Sequence, residues 1–167
     1  RPNMVFTLWY TDPECTQRVD FSKPFNANTT IYGKLAPGTL GGTLPCVAGT
    51  GSAAWSLPDD GTLYLRGAGK VNNLGWNLAH RYDPSKISGH WLDYRKNITR
   101  VSMTPSLRAN NVNCWFAGAE SLTDVSEFSI PRGVNSTKFL FYYCYALESL
   151  PEGFTIPEGV TDAMDMF

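Results

Sequence analysis

The chain has 167 residues, 43% of them apolar and 17% charged, with a formal net charge of −1. That balance is globular in kind, unlike a disordered tail, and it gives no overall positive charge for nucleic acid or an anionic membrane. No apolar run approaches the roughly 18 residues a membrane span needs, so direct membrane insertion is not expected. The charge is unevenly spread. Between Arg66 and Arg100 stand seven Lys or Arg against two Asp, and from Glu120 onward eight acids stand against Arg132 and Lys138. Such a contrast could orient a charged partner, or it could be two solvated faces that differ. Arg1-Pro2-Asn3 opens directly into strand-like sequence and Phe167 stands inside a repeat, so both ends read as cuts within something larger.

Residues 1–36 carry Phe6-Thr-Leu-Trp9-Tyr10-Thr-Asp12-Pro-Glu-Cys15-Thr, then Val19-Asp20-Phe21-Ser-Lys-Pro24, then Ile31-Tyr32-Gly-Lys-Leu35. Alternation with β-branched and aromatic residues predicts short strands, with turns at Asp12-Pro13 and Ser22-Lys23-Pro24. The run resembles the second half of a Listeria–Bacteroides repeat, a β-grasp-like spacer module of bacterial surface proteins. Leu8 and Gly33 depart from that pattern, which has Gly and Ala there. About 36 residues cannot hold a core alone, so this half-module is expected to dock on the rest of the chain. Residues 37–53 have linker-like density of Gly and Pro and mark a boundary.

Next comes Trp55-Ser-Leu57-Pro-Asp59-Asp60-Gly61-Thr62-Leu63-Tyr64-Leu65-Arg-Gly67-Ala-Gly69. Two alternating strands flank an Asp-Gly turn, which predicts a hairpin. The segment is similar to the entry of BspA-like domains, where a hairpin covers the open end of the first coil. Residues 54–96 thus read as a hairpin cap and an insertion loop. Its stretch 70–97 holds Trp76, His80, Tyr82, Asp83-Pro84, Trp91 and Tyr94, and reads as a long connection with one helical turn near Trp91 to Lys96.

From residue 97 the sequence repeats. Leu122-x-x-Val125 recurs as Leu147-x-x-Leu150 after 25 residues; Ile130, Pro131, Gly133, Val134 and Phe141 recur as Ile156, Pro157, Gly159, Val160 and Phe167 after 26. A degenerate earlier copy starts at Ile98-Thr-Arg-Val101-Ser-Met103 and ends in Trp115-Phe116. A period of 20 to 29 residues with this spacing is a leucine-rich-repeat signature, in which each coil buries its apolar stripe against a neighbour. Residues 97–167 resemble the BspA-like repeat of bacterial surface proteins, with Val160-Thr-Asp-Ala-Met-Asp-Met-Phe167 as its helical turn. The expected fold is therefore β-rich α+β: a short solenoid, a hairpin cap and a partial β-grasp module. Phe116, Leu122, Val125, Ile130, Phe141, Leu147, Leu150 and Ile156 are its expected core.

Sites are fewer. Asp59-Asp60-Gly61 lacks the alternating ligands and closing Glu of a calcium loop and reads as a turn. His80 and His90 have no partners to complete a zinc set, and Cys15, Cys46, Cys114 and Cys144 show no paired spacing, which favours free thiols. No cofactor or metal is expected, and no catalytic constellation rises above background. On a repeat strand, the residues flanking the inward apolar position face out. This gives Arg100 and Ser102, then Asp124 and Ser126, then Ser149 and Pro151 as stacked rungs. Tyr142, Tyr143 and Tyr145 follow Phe141 and could anchor a partner. The resemblances imply a non-enzymatic domain, extracellular or in the cell wall of a bacterium, that mediates adhesion through a host or neighbouring-cell protein. A structural spacer and a carbohydrate-binding or enzyme-accessory module are the alternatives. The final coil should also offer an end-to-end contact.

Overall fold

A computed structural model describes residues 3–21, 23–25, 28–74 and 88–167. Among the described residues nine strands form mixed sheets, and none closes into a barrel. The alternation at the N-terminus gives strand β1 (Met4–Tyr10), paired antiparallel with β2 (Tyr32–Pro37). The main sheet has five strands: β3 (Leu40–Leu44), β4 (Ala53–Leu57), β5 (Thr62–Gly67), β7 (Arg100–Met103) and β9 (Asp124–Glu127), in that spatial order. Its first three strands are an antiparallel meander, and β5, β7 and β9 run parallel. The short strands β6 (Lys70–Val71) and β8 (Arg108–Ala109) pair separately, also parallel. A 3-10 helix over His90–Asn97, with Tyr94 out of helical geometry, enters β7.

The Asp-Gly turn between β4 and β5 forms as its sequence predicts. Gly61 adopts φ 79°, and the Asp60 carboxylate accepts the Thr62 amide at 2.8 Å. Residues 37–53, read as a linker, instead contain β3. Gly42 faces the Trp55 indole so closely that a Cβ there would stand 3.3 Å from Nε1, so these glycines allow close approach to an edge strand.

Beyond β7 the backbone stacks at a step close to the sequence repeat. The amides of Val112, Cys114, Phe116 and Gly118 donate to the carbonyls of Ser136, Lys138, Leu140 and Tyr142. One layer on, Thr137, Phe139 and Phe141 donate to Asp162, Met164 and Met166. Side chains follow the same step. Phe116, Phe141 and Phe167 stack with centroids 5.7 and 5.8 Å apart. A second column, Phe128 over Phe154, had a signal in its 26-residue separation but does not figure in the expected core.

Phe116, Leu122, Val125, Ile130 and Phe141 are buried. Leu147 and Leu150 are only half-buried and lie outside any strand. Ile156 is corrected outright: 49% of it is exposed, because no described residue stacks beyond the layer it lies in. The 3-10 helix contributes to the core. Trp91 is fully buried, its indole donates to the Trp115 carbonyl at 2.7 Å, and its ring meets Trp55 and Trp115 edge-on. The expected insertion loop is thus partly core; its residues Trp76, His80, Tyr82 and Asp83-Pro84 lie outside the described residues.

The β1–β2 hairpin lies against the face of the main sheet opposite that core. Ser56 Oγ donates to the Phe6 carbonyl at 2.7 Å, the Arg66 guanidinium lies 5.0 Å from the Phe6 ring centroid, and Arg18 pairs with Glu127. Leu8 and Tyr10 are buried.

Candidate functional site

On the strand face, Arg100 is exposed and ion-pairs with Asp124 at 2.9 Å, where the register aligns the two residues. Ser102 is corrected on two counts. It is fully buried, and it aligns with Glu127 in place of Ser126. The Asp124 carboxylate takes the Ser126 amide at 2.8 Å, which withdraws that amide from the ladder and inserts an extra residue into β9. Ser126 is exposed. Ser149 is exposed too, but it belongs to no strand, so the third rung does not form. The Ser126 hydroxyl and amide, with Arg100 behind them, hold the Asp124 carboxyl below its ordinary range.

The three tyrosines are brought together. Phe139 packs edge-on against Tyr142; Tyr142 stacks on Tyr143 with centroids 4.0 Å apart, and Tyr143 on Tyr145 at 5.6 Å. Exposure rises along this terrace, from a half-buried Tyr142 through Tyr143 to Tyr145, which is 72% exposed. The Tyr143 side chain, hydrogen-bonded to Tyr142, pushes the Tyr142 phenol up to about 12. The Tyr142 phenol is therefore a neutral hydrogen-bonding group at neutral pH.

A third feature had no sequence signal, because it depends on how the hairpin docks. Between the β1–β2 unit and the main sheet lies an open cleft of about 780 Å³. Trp9 and Phe21 on one side expose 41% and 44% of their surface, and Met103 and Phe128 belong to the other. Among the described residues its charged lining is Arg18, Asp20, Arg66 and Glu127.

The four cysteines are free. Cys15 and Cys46 are half-buried, whereas burial pushes the thiols of Cys114 and Cys144 up to about 12. Burial moves His90 below its ordinary value, opposed by Asp93. Among the described residues no group of three His, Cys, Asp or Glu is placed to hold a metal ion, and no helix is long and apolar enough to cross a membrane. No family model, curated protein or solved structure matches the chain.

Proposed function

We propose that this chain is a non-enzymatic binding domain of a bacterial cell-surface or secreted protein, one that attaches to an extracellular protein of a host or neighbouring cell. In this reading residues 97–167 are a short leucine-rich-repeat solenoid of the BspA-like kind. The β4–β5 hairpin caps it, and the β1–β2 unit is a partial β-grasp module. Support for the solenoid comes from the stacked amides and from the Phe116, Phe141, Phe167 column, which advance at the period of the sequence repeat.

The observation that carries the binding function is the tyrosine terrace. Tyr145 keeps 72% of its surface in solvent while its neighbours stack behind it, so its ring contributes little to folding. Tyrosine presents a rigid apolar face and a polar tip at small entropic cost, and it is enriched among the residues that dominate interfaces. The Arg100–Asp124 pair lies on the strand face and is exposed enough to set orientation without adding much affinity. Purified extracellular-matrix and cell-surface proteins, passed over the immobilised domain, should include one whose dissociation quickens about tenfold or more for Tyr143→Ala/Tyr145→Ala. Arg100→Glu should change association more than dissociation. Binding that survives all three changes intact excludes the terrace and the strand face as the site.

A further inference from the structure

The cleft beside the N-terminal hairpin has a charge arrangement that its own protein groups do not complete. Two of its four described charged residues, Arg18 and Glu127, pair with each other, and Asp20 pairs with Lys23 at 3.5 Å. Arg66 is left. Its guanidinium donates from Nη1 to Ser56 Oγ at 2.8 Å and lies over the Phe6 ring, and among the described residues no carboxylate reaches it. Ser102 Oγ is the one described side-chain nitrogen or oxygen that is sealed from solvent without a partner. The remaining Arg66 donors are therefore not sealed from solvent, and Arg66 lines the cleft. Ser56 is itself fixed, because its hydroxyl is donated to the Phe6 carbonyl. The fork is thus held at two points beside a mostly apolar space.

From this geometry we infer that the cleft binds a small organic carboxylate with an apolar body, its carboxylate on Arg66 and its body between Trp9, Phe21 and Phe128. Three considerations select that class. A guanidinium fork matches a carboxylate in shape and charge. A neutral apolar ligand would remove water from Arg66 without supplying a counter-charge, which opposes binding. A bare inorganic anion would leave the exposed rings of Trp9 and Phe21 uncovered. The volume also falls within the range of small-molecule sites. The cleft is separate from the tyrosine terrace, since none of Tyr142, Tyr143 and Tyr145 lines it.

The test uses 3-phenylpropionate, its uncharged amide and the corresponding ammonium compound, each titrated into the whole chain while the Trp9 indole N–H resonance is followed. The acid should bind and shift that resonance. The amide should bind about tenfold more weakly, and the ammonium compound more weakly again. Arg66→Met should weaken the acid about tenfold and leave the amide unchanged. Should that variant loosen the hairpin, the comparison of acid with amide on the unaltered chain still decides, and Arg66→Lys should retain the preference for the acid. Equal affinity for acid and amide, or no binding of the acid, overturns the inference. Tyr145→Ala should bind the acid as the unaltered chain does, which separates this site from the proposed protein-binding surface.

Discussion

Phe141 has rings on both sides. Phe116 stacks below it, Phe167 above it, and Phe128 and Phe154 meet its edges, while 2% of its surface reaches solvent. Removing that ring leaves a hole that three layers share and none can fill alone. Phe141→Ala should therefore cost about 3–5 kcal/mol in chemical denaturation, with the slope unchanged if the rest still folds as one unit. The thiols give a second residue-scale test. With Cys114 and Cys144 buried and their thiols at about 12, a disulfide reagent at mildly alkaline pH should modify only Cys15 and Cys46 in the folded chain. All four should react once it is unfolded. Asp124 supplies the pH dependence. Its folded pKa lies below the ordinary value of 3.8, so its contribution to stability is complete above that value and is lost as the pH falls from there through the folded pKa. The melting temperatures of the unaltered chain and Asp124→Asn should differ at neutral pH and converge in acid. A constant difference would mean that the carboxylate's charge contributes nothing.

Among the elements, the β4–β5 hairpin was legible because each of its signals is local: alternation on both sides, Asp-Gly at the turn, and an Asp carboxylate within reach of its own backbone. The stacking of Phe116, Phe141 and Phe167 was legible for a different reason, since rings that stack layer on layer recur at the period of the layers. Strand β3 was not legible. Gly41 and Gly42 are there because Trp55 and the β4 backbone approach closely, and composition cannot distinguish that need from a linker's. Ser102 failed for want of non-local information. A serine next to a buried valine should face water, and it does not, because this sheet face is covered. The extra residue in β9 is a subtler case, where the Asp124 side chain competes with the ladder for the Ser126 amide. At the end of β5, Gly67 joins the elements. It adopts φ 122°, a Cβ there would lie 2.3 Å from the Ser52 carbonyl oxygen, and its own carbonyl accepts the hydroxyls of Thr104 and Ser106. Gly67→Ala combines backbone strain with a backbone clash and should destabilise the chain by about 1–3 kcal/mol or more. Gly49→Ala, at a positive φ with open space around it, should cost less. Thermal melts of the two variants side by side check the ranking.

For the whole molecule, the two ends of the main stack are unlike. At one end the antiparallel meander β3–β4–β5 supplies a parallel neighbour for β7 and ends the sheet in a Gly-rich edge strand. At the other, no described residue stacks on the outer side of the layer that runs to Phe167. Phe167 covers Phe141 with one face and exposes 65% of its surface; Ile156 exposes 49%, and Leu150, Phe154, Val160 and Met164 are only half-covered. Apolar surface gathered on one end differs in its consequence from the same surface scattered, because a second copy can cover all of it at once. Ion pairs link successive layers of the stack, Arg100 to Asp124 and Lys138 to Asp162 at 2.6 Å. The expected outcome is weak end-to-end self-association, seen as a sedimentation coefficient that rises with protein concentration. The contact is hydrophobic, so added salt should not weaken it. Ile156→Asp/Phe167→Asp should abolish the rise, since pairing the ends would then bury uncompensated carboxylates. Arg18→Met, at the docked hairpin on another face, should leave it unchanged. A sedimentation coefficient independent of concentration in the unaltered chain would show that the end stays bare in solution.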